Sequence, residues 1–157
     1  NVLKRYFGWT IEDYRSELRN RILEKKVSFE VDTSAKSKAE SILARLNKGE
    51  DFAALAREFS DDDNTKNSGG GVIARSGDSD TSGLISSARQ LEPGKVSGII
   101  SGVDAYYLVR LDSKTEDTTN FALIKIKLTQ LSSDFNKIKE QNSIQEYIEV
   151  PELEDIV

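Results

Sequence analysis

The stretch Leu46-Asn47-Lys48-Gly49-Glu50-Asp51-Phe52-Ala53-Ala54-Leu55-Ala56-Arg57-Glu58-Phe59-Ser60 decides how this chain folds. Upstream of it, from about Ser34 to Asn47, the residues Ala35, Ala39, Ile42, Leu43 and Leu46 recur on one face at helical spacing. Gly49 can take the left-handed conformation that ends such a helix. Asp51 is placed to cap a shorter helix that buries Phe52, Leu55, Ala56 and Phe59. Ser60 to Ser68 is then almost wholly polar and reads as an exposed loop.

Working back toward the start, Thr10 and Asp13 have the spacing of a capping box. Ile11, Tyr14, Leu18 and Ile22 then mark an amphipathic helix in search of a partner surface. Val27, Phe29 and Val31 alternate with Ser28 and Glu30, which predicts a short strand with one buried face.

Working forward, Gly69-Gly70-Gly71 permits backbone conformations closed to other residues, and Val72-Ile73-Ala74 behind it reads as a strand. A flexible stretch, Ser76 to Gly83, separates it from a helix carrying Leu84, Ile85, Ala88 and Leu91. Pro93-Gly94 ends that helix, and two strands, Val96 to Ile100 and Tyr106 to Leu111, follow around Gly102. Beyond Lys114-Thr115-Glu116-Asp117 the pattern predicts a strand at Phe121 to Leu128, a polar helix from about Ser132 to Gln141, and a strand at Ile144 to Ile148.

Composition narrows the function classes. A chain of 157 residues can bury one sizeable core, so one domain with extensions is expected. It contains no Cys and no His, which removes disulfides, thiolate nucleophiles and the usual general base and metal ligand. The net charge of -5, with acids and bases interspersed, offers no basic stripe for phosphates, so nucleic acid is not an expected partner. No window reaches the run of about 18 apolar residues that a membrane span needs, and any anchor is expected outside this segment. The first residue is Asn1 and Met is absent throughout, which points to a segment of a longer product.

The opening stretch, the glycine pair and the phrase Leu91-Glu92-Pro93-Gly94-Lys95-Val96-Ser97 stand in an order and at a spacing that resemble the parvulin family of peptidyl-prolyl isomerases. The resemblance runs from roughly Val27 to Leu111. It implies an α+β fold, a small mixed or antiparallel sheet surrounded by roughly four helices, with an N-terminal helix and a C-terminal strand-helix extension. The expected division is a helical segment over 1–26, the parvulin-like domain over 27–113 and an extension over 114–157. Phe7-Gly8-Trp9-Thr10 and the helix after it resemble the link between the helical chaperone domain and the isomerase domains of bacterial foldases.

The family places histidines in its first and last strands, and in this chain Glu30 and Tyr107 fall there. The acidic member of the family's site corresponds to Asp62, its pocket leucine to Val72 and its pocket phenylalanine to Leu84. The pocket methionine falls near Asp80 and has no counterpart. The resemblance therefore implies Asp62 and Tyr107 as catalytic residues and Val72, Leu84, Glu30 and Tyr106 as substrate-contacting ones, with no metal and no cofactor. The alternative is ordinary structure: Val72 and Leu84 in the core, Tyr107 an alternating strand residue, Asp62 in a solvated loop. The cost of burying an unpaired carboxylate favours a solvent-facing Glu30.

Asp61-Asp62-Asp63-Asn64 has neither the turn glycine nor the closing glutamate of a calcium loop. The triple glycine lacks the Lys-Ser or Lys-Thr of a phosphate loop.

The family resemblance leaves three readings. One is an isomerase of reduced activity acting on unfolded or proline-containing secreted polypeptides. Another is a module that keeps the groove for binding but has lost catalysis. A third is a structural subunit whose strand Phe121 to Leu128 pairs with another chain, an idea the charges of Lys125 and Lys127 argue against. The first two imply an extracytoplasmic location, whether secreted, periplasmic or membrane-anchored.

Overall fold

The computed structural model describes residues 2–142. A short helix α1 (Val2–Phe7) leads to Thr10, which caps α2 (Ile11–Val31). The Asp13 N–H donates to the Thr10 hydroxyl at 3.1 Å and the Thr10 N–H donates to Asp13 Oδ2 at 2.8 Å, the reciprocal pair the spacing predicts.

The strand expected over Val27 to Val31 does not form, because α2 runs through it to Val31. The Asp32 N–H still donates to the Ser28 carbonyl at 3.2 Å, so the segment makes its hydrogen bonds along the helix. Its alternation is met only at Phe29, whose ring packs edge-on to Tyr106 at 4.9 Å, while Val27 and Val31 remain exposed. Glu30 therefore sits on an exposed helix surface rather than in a strand.

Asp32 turns the chain into α3 (Thr33–Asn47), Gly49 (φ +89°) reverses it, and Asp51 caps α4 (Phe52–Phe59) by accepting the Ala54 N–H at 2.8 Å. After a 3₁₀ turn at Lys66–Ser68 come β1 (Gly71–Arg75), α5 (Leu84–Arg89), β2 (Ile100–Ser101), β3 (Ala105–Lys114), β4 (Thr118–Lys127) and α6 (Gln130–Asn142). Of the strand expected at Val96 to Ile100, only Ile100 belongs to β2, while Val96 makes a single bridge to Arg110. The strand expected at Ile144 to Ile148 lies outside the described residues.

The sheet has four strands in the order β1-β4-β3-β2, and every pair is antiparallel. β4 lies between β1 and β3, so the strand of the C-terminal extension is an inner strand of this sheet. It has no open edge along its length for another chain. Gly71 to Arg75 covers its first half, and Ser60 and Asp61 cover the second. The third reading above is thereby corrected.

Alternation along β3 and β4 builds a core on each face of the sheet. Tyr106, Leu108, Ile124 and Ile126 pack under α3 and α4 against Ile42, Leu55 and their neighbours. Tyr107, Val109, Leu111, Phe121 and Leu123 face the other way, toward Ala74 of β1 and Leu84 and Ala88 of α5. Each large side chain so buried contributes about 1.5–3 kcal/mol.

Asp32 fastens the two ends of this arrangement. Its carboxylate is fully buried and accepts from the Ala35 N–H (2.8 Å) and Ser34 hydroxyl (2.9 Å) at the start of α3. It also accepts from the Thr129 N–H (2.7 Å) and Gln130 N–H (3.0 Å) where β4 passes into α6. One side chain thus serves two helix starts 97 residues apart in sequence. No helix among the described residues is long and apolar enough to cross a membrane.

Candidate functional site

The glycines after the polar loop set the geometry of the site. Gly70 (φ +87°) lies so close to β4 that a Cβ there would fall on the Leu123 carbonyl oxygen. The Leu123 N–H donates to the Gly70 carbonyl at 2.8 Å, which starts the β1–β4 pairing. At the other end of the loop the buried Ser60 hydroxyl accepts the Lys125 N–H at 3.1 Å, and the Asp61 N–H donates to the Lys125 carbonyl at 2.7 Å. Asp61 Oδ2 accepts the Lys127 N–H at 3.0 Å. The loop from Ser60 to Gly70 is therefore held against β4 at both ends.

Beneath it opens a cleft of about 450 Å³, walled by Asp61, Asp62, Asp63 and Asn64 on one side and by Leu84, Tyr107, Leu123, Lys125 and Lys127 on the others. Asp62, Leu84 and Tyr107, expected at the site, meet here. Asp62 Oδ1 accepts the Asn64 N–H at 3.0 Å, which fixes the carboxylate in the loop. Tyr107 is seated by Gly102, where a Cβ would lie 2.5 Å from the ring. The remaining expected residues are elsewhere. Val72 is half-buried in the cluster that supports Leu84 and Tyr107, beside the cleft wall rather than on it. Tyr106, next in sequence to Tyr107, points to the opposite face and is buried against Phe29, and the exposed Glu30 is on that side too.

Burial raises the Tyr106 pKa, helped by the charges of Asp32 and Glu30. Asp80, near which the resemblance placed the pocket methionine, holds the start of α5: its carboxylate accepts the N–H groups of Ile85 (2.9 Å) and Ser86 (2.8 Å).

Three wall residues of β4, Leu123, Lys125 and Lys127, were not legible as site residues. Their presence depends on which strand stands next to β3. In register, Lys125 is directly opposite Tyr107. Its Nζ donates to Asp104 Oδ2 at 3.2 Å and stands 5.8 Å from the Tyr107 ring centre. Burial acts to lower the Lys125 pKa, and the hydrogen bond to Asp104 with the interaction with Tyr107 outweighs it, so the ammonium is held above its ordinary value. Among the described residues no group of acidic side chains has the arrangement of a metal site.

Helices on both faces of a short antiparallel sheet, with a cleft between the polar loop, α5 and the two central strands, define an α+β domain. Residues 21–113 match the rotamase family described as the PPIC-type PPIase domain. The chain belongs to this family of peptidyl-prolyl isomerase domains. It is also 30% identical over 122 residues to Chaperone SurA of Methylobacillus flagellatus, covering 73% of this chain and 28% of that one. Foldase protein PrsA of Streptococcus sanguinis is 30% identical over 129 residues (78% and 38%), and that of Streptococcus gordonii 32% over 126 (76% and 38%). The chain thus spans well under half the length of these relatives. The family match stops at Ser113, so β4 and the residues it brings to the cleft lie beyond it.

Proposed function

We propose that this chain is the isomerase-fold module of an extracytoplasmic folding factor, and that its cleft receives proline-containing segments of unfolded polypeptides. The observation that carries this reading is the meeting of Asp62, Leu84 and Tyr107 around one open cleft in a domain of this family. The names of the relatives, chaperone and foldase, support a client of this kind.

An X-Pro bond crosses a barrier of about 18–20 kcal/mol because twisting destroys amide resonance. No covalent step is needed. A site accelerates the change by binding the twisted amide better than either planar form. In this cleft Leu84 and Leu123 offer the apolar surface for a prolyl ring, and the Tyr107 hydroxyl and Asp62 carboxylate offer polar contacts to the peptide beside it. With no histidine in the chain, turnover is expected below that of a histidine-bearing site.

The same absence of histidine favours a second reading, in which the cleft binds extended clients without isomerising them. A peptide isomerisation assay on the parent protein and on Tyr107→Phe and Asp62→Ala separates the two. Acceleration that falls in both variants supports the first reading, and no acceleration by the parent leaves the second. Suppression of client aggregation that weakens in Leu84→Ser supports binding through the cleft, whereas an unchanged Leu84→Ser places binding elsewhere.

A further inference from the structure

We infer that Lys125 is a positioning residue of this cleft: carried by a strand beyond the matched family domain, it holds and orients Tyr107 from the directly opposed position. The inference rests on the reading of the cleft as an isomerase or client-binding site.

Four observations carry it. The segment that resembles the family's first strand is helical here, so it cannot bring a partner to Tyr107. β4 stands beside β3, and the register sets Lys125 opposite Tyr107 on the cleft face. Directly opposed residues of an antiparallel pair have Cβ atoms about 4.5–5.5 Å apart, close enough for one side chain to fix the other.

The Lys125 side chain is also restrained at both ends. Its backbone is tied by the Ser60 hydroxyl and the Asp61 N–H, and its ammonium by Asp104 at 3.2 Å. Only 19% of the side chain is exposed, although a lysine ordinarily extends its charge into water. Finally, the cation lies in a cleft whose polar wall includes Asp61, Asp62 and Asp63, and together with Lys127 it sets ammonium donors against those three carboxylates.

A tether with no role in the cleft would also explain the Asp104 contact, so the test separates the two. The parent protein, Lys125→Ala, Lys125→Met and Lys125→Arg are compared by exchange NMR of a short X-Pro peptide, by titration of the same peptide, and by thermal unfolding. Lys125→Met keeps the aliphatic stem over Tyr107 and removes the charge, and it decides the matter if Lys125→Ala does not fold. Lys36→Ala, an exposed position on α3, is the control.

The expected result is a fall of roughly tenfold in kcat for Lys125→Met, with KM little changed, near-parent melting, and substantial recovery in Lys125→Arg. If the parent binds the peptide without turning it over, the expected result is a comparable loss of affinity in Lys125→Met, again recovered by Arg. Parent-like turnover or affinity in Lys125→Met overturns the inference and leaves the function intact. A parent that neither accelerates nor binds the peptide overturns the functional reading and the inference with it.

Discussion

Val27 to Val31 and Ile124 to Leu128 carry the same alternation of apolar and polar residues, yet the first closes a helix and the second, through Lys127, belongs to an inner strand. The difference lies in what each segment meets. β4 has a backbone partner on both sides, β3 along its whole length and β1 with Ser60 and Asp61 along the other edge. Its side chains enter both cores, with Phe121 and Leu123 on one face and Ala122 and Ile124 on the other. Residues 27–31 gain one half-buried ring, Phe29, and satisfy their backbone within the helix. A period of two therefore marks a segment able to be a strand, and the sheet takes the one that fills a place between neighbours.

Removal of β4 is expected to have the most severe effect. A chain ending after Lys114 loses an inner strand and with it residues of both cores, and urea denaturation followed by circular dichroism is expected to show no cooperative transition. Retention of a cooperative fold would mean that another segment, residues 27–31 first among them, can take the vacant place.

A gentler version contrasts single side chains. Ile124 is fully buried, and Ile124→Ala is expected to cost about 3 kcal/mol in chemical denaturation.

The clasp that joins the two regions comes next. Asp32→Ala removes the acceptor for three backbone N–H groups at the starts of α3 and α6, and a loss of about 2 kcal/mol is expected. Its pH dependence has a definite sign. Burial acts to raise the Asp32 pKa, and the donors from Ala35, Gln130, Thr129 and Ser34 outweigh it and hold the carboxyl below its ordinary value. A folded pKa below the unfolded one, about 3.9, means the contribution is complete above that pH and is lost as pH falls through the lower folded value. Thermal melts between neutral and strongly acidic pH are expected to show a weaker acid dependence in Asp32→Asn than in the parent.

The smallest effect sharpens the contrast from the other side. Val27→Ala, at a position 38% exposed, is expected to change stability by no more than about 0.5 kcal/mol in the same denaturation experiment. A loss near that of Ile124→Ala would show that this segment packs as a strand in solution.

Legibility of the site followed the range of the interactions involved. Tyr107, Leu84 and Asp62 are the residues that the resemblance implied in the sequence, and they line one cleft. Tyr106 is adjacent to Tyr107 in the chain and cannot share its face, because successive strand residues point to opposite sides of a sheet. Lys125 carried no signal of its own. A lysine in an alternating segment reads as a solvent-facing residue until the strand across from it is known.

What the chain alone determined was local: the capping box at Thr10 and Asp13, the helices on either side of Gly49, and the order of motifs that marks the family. Those features depend on contacts within a few residues, and their periodicity survives in a one-dimensional reading. Tertiary structure alone decided that residues 27–31 stay helical, that β4 joins the middle of the sheet, and that Lys125 faces Tyr107. Each of these depends on backbone pairing between segments far apart in sequence, where the competing partners, rather than the intrinsic preference of either segment, settle the outcome.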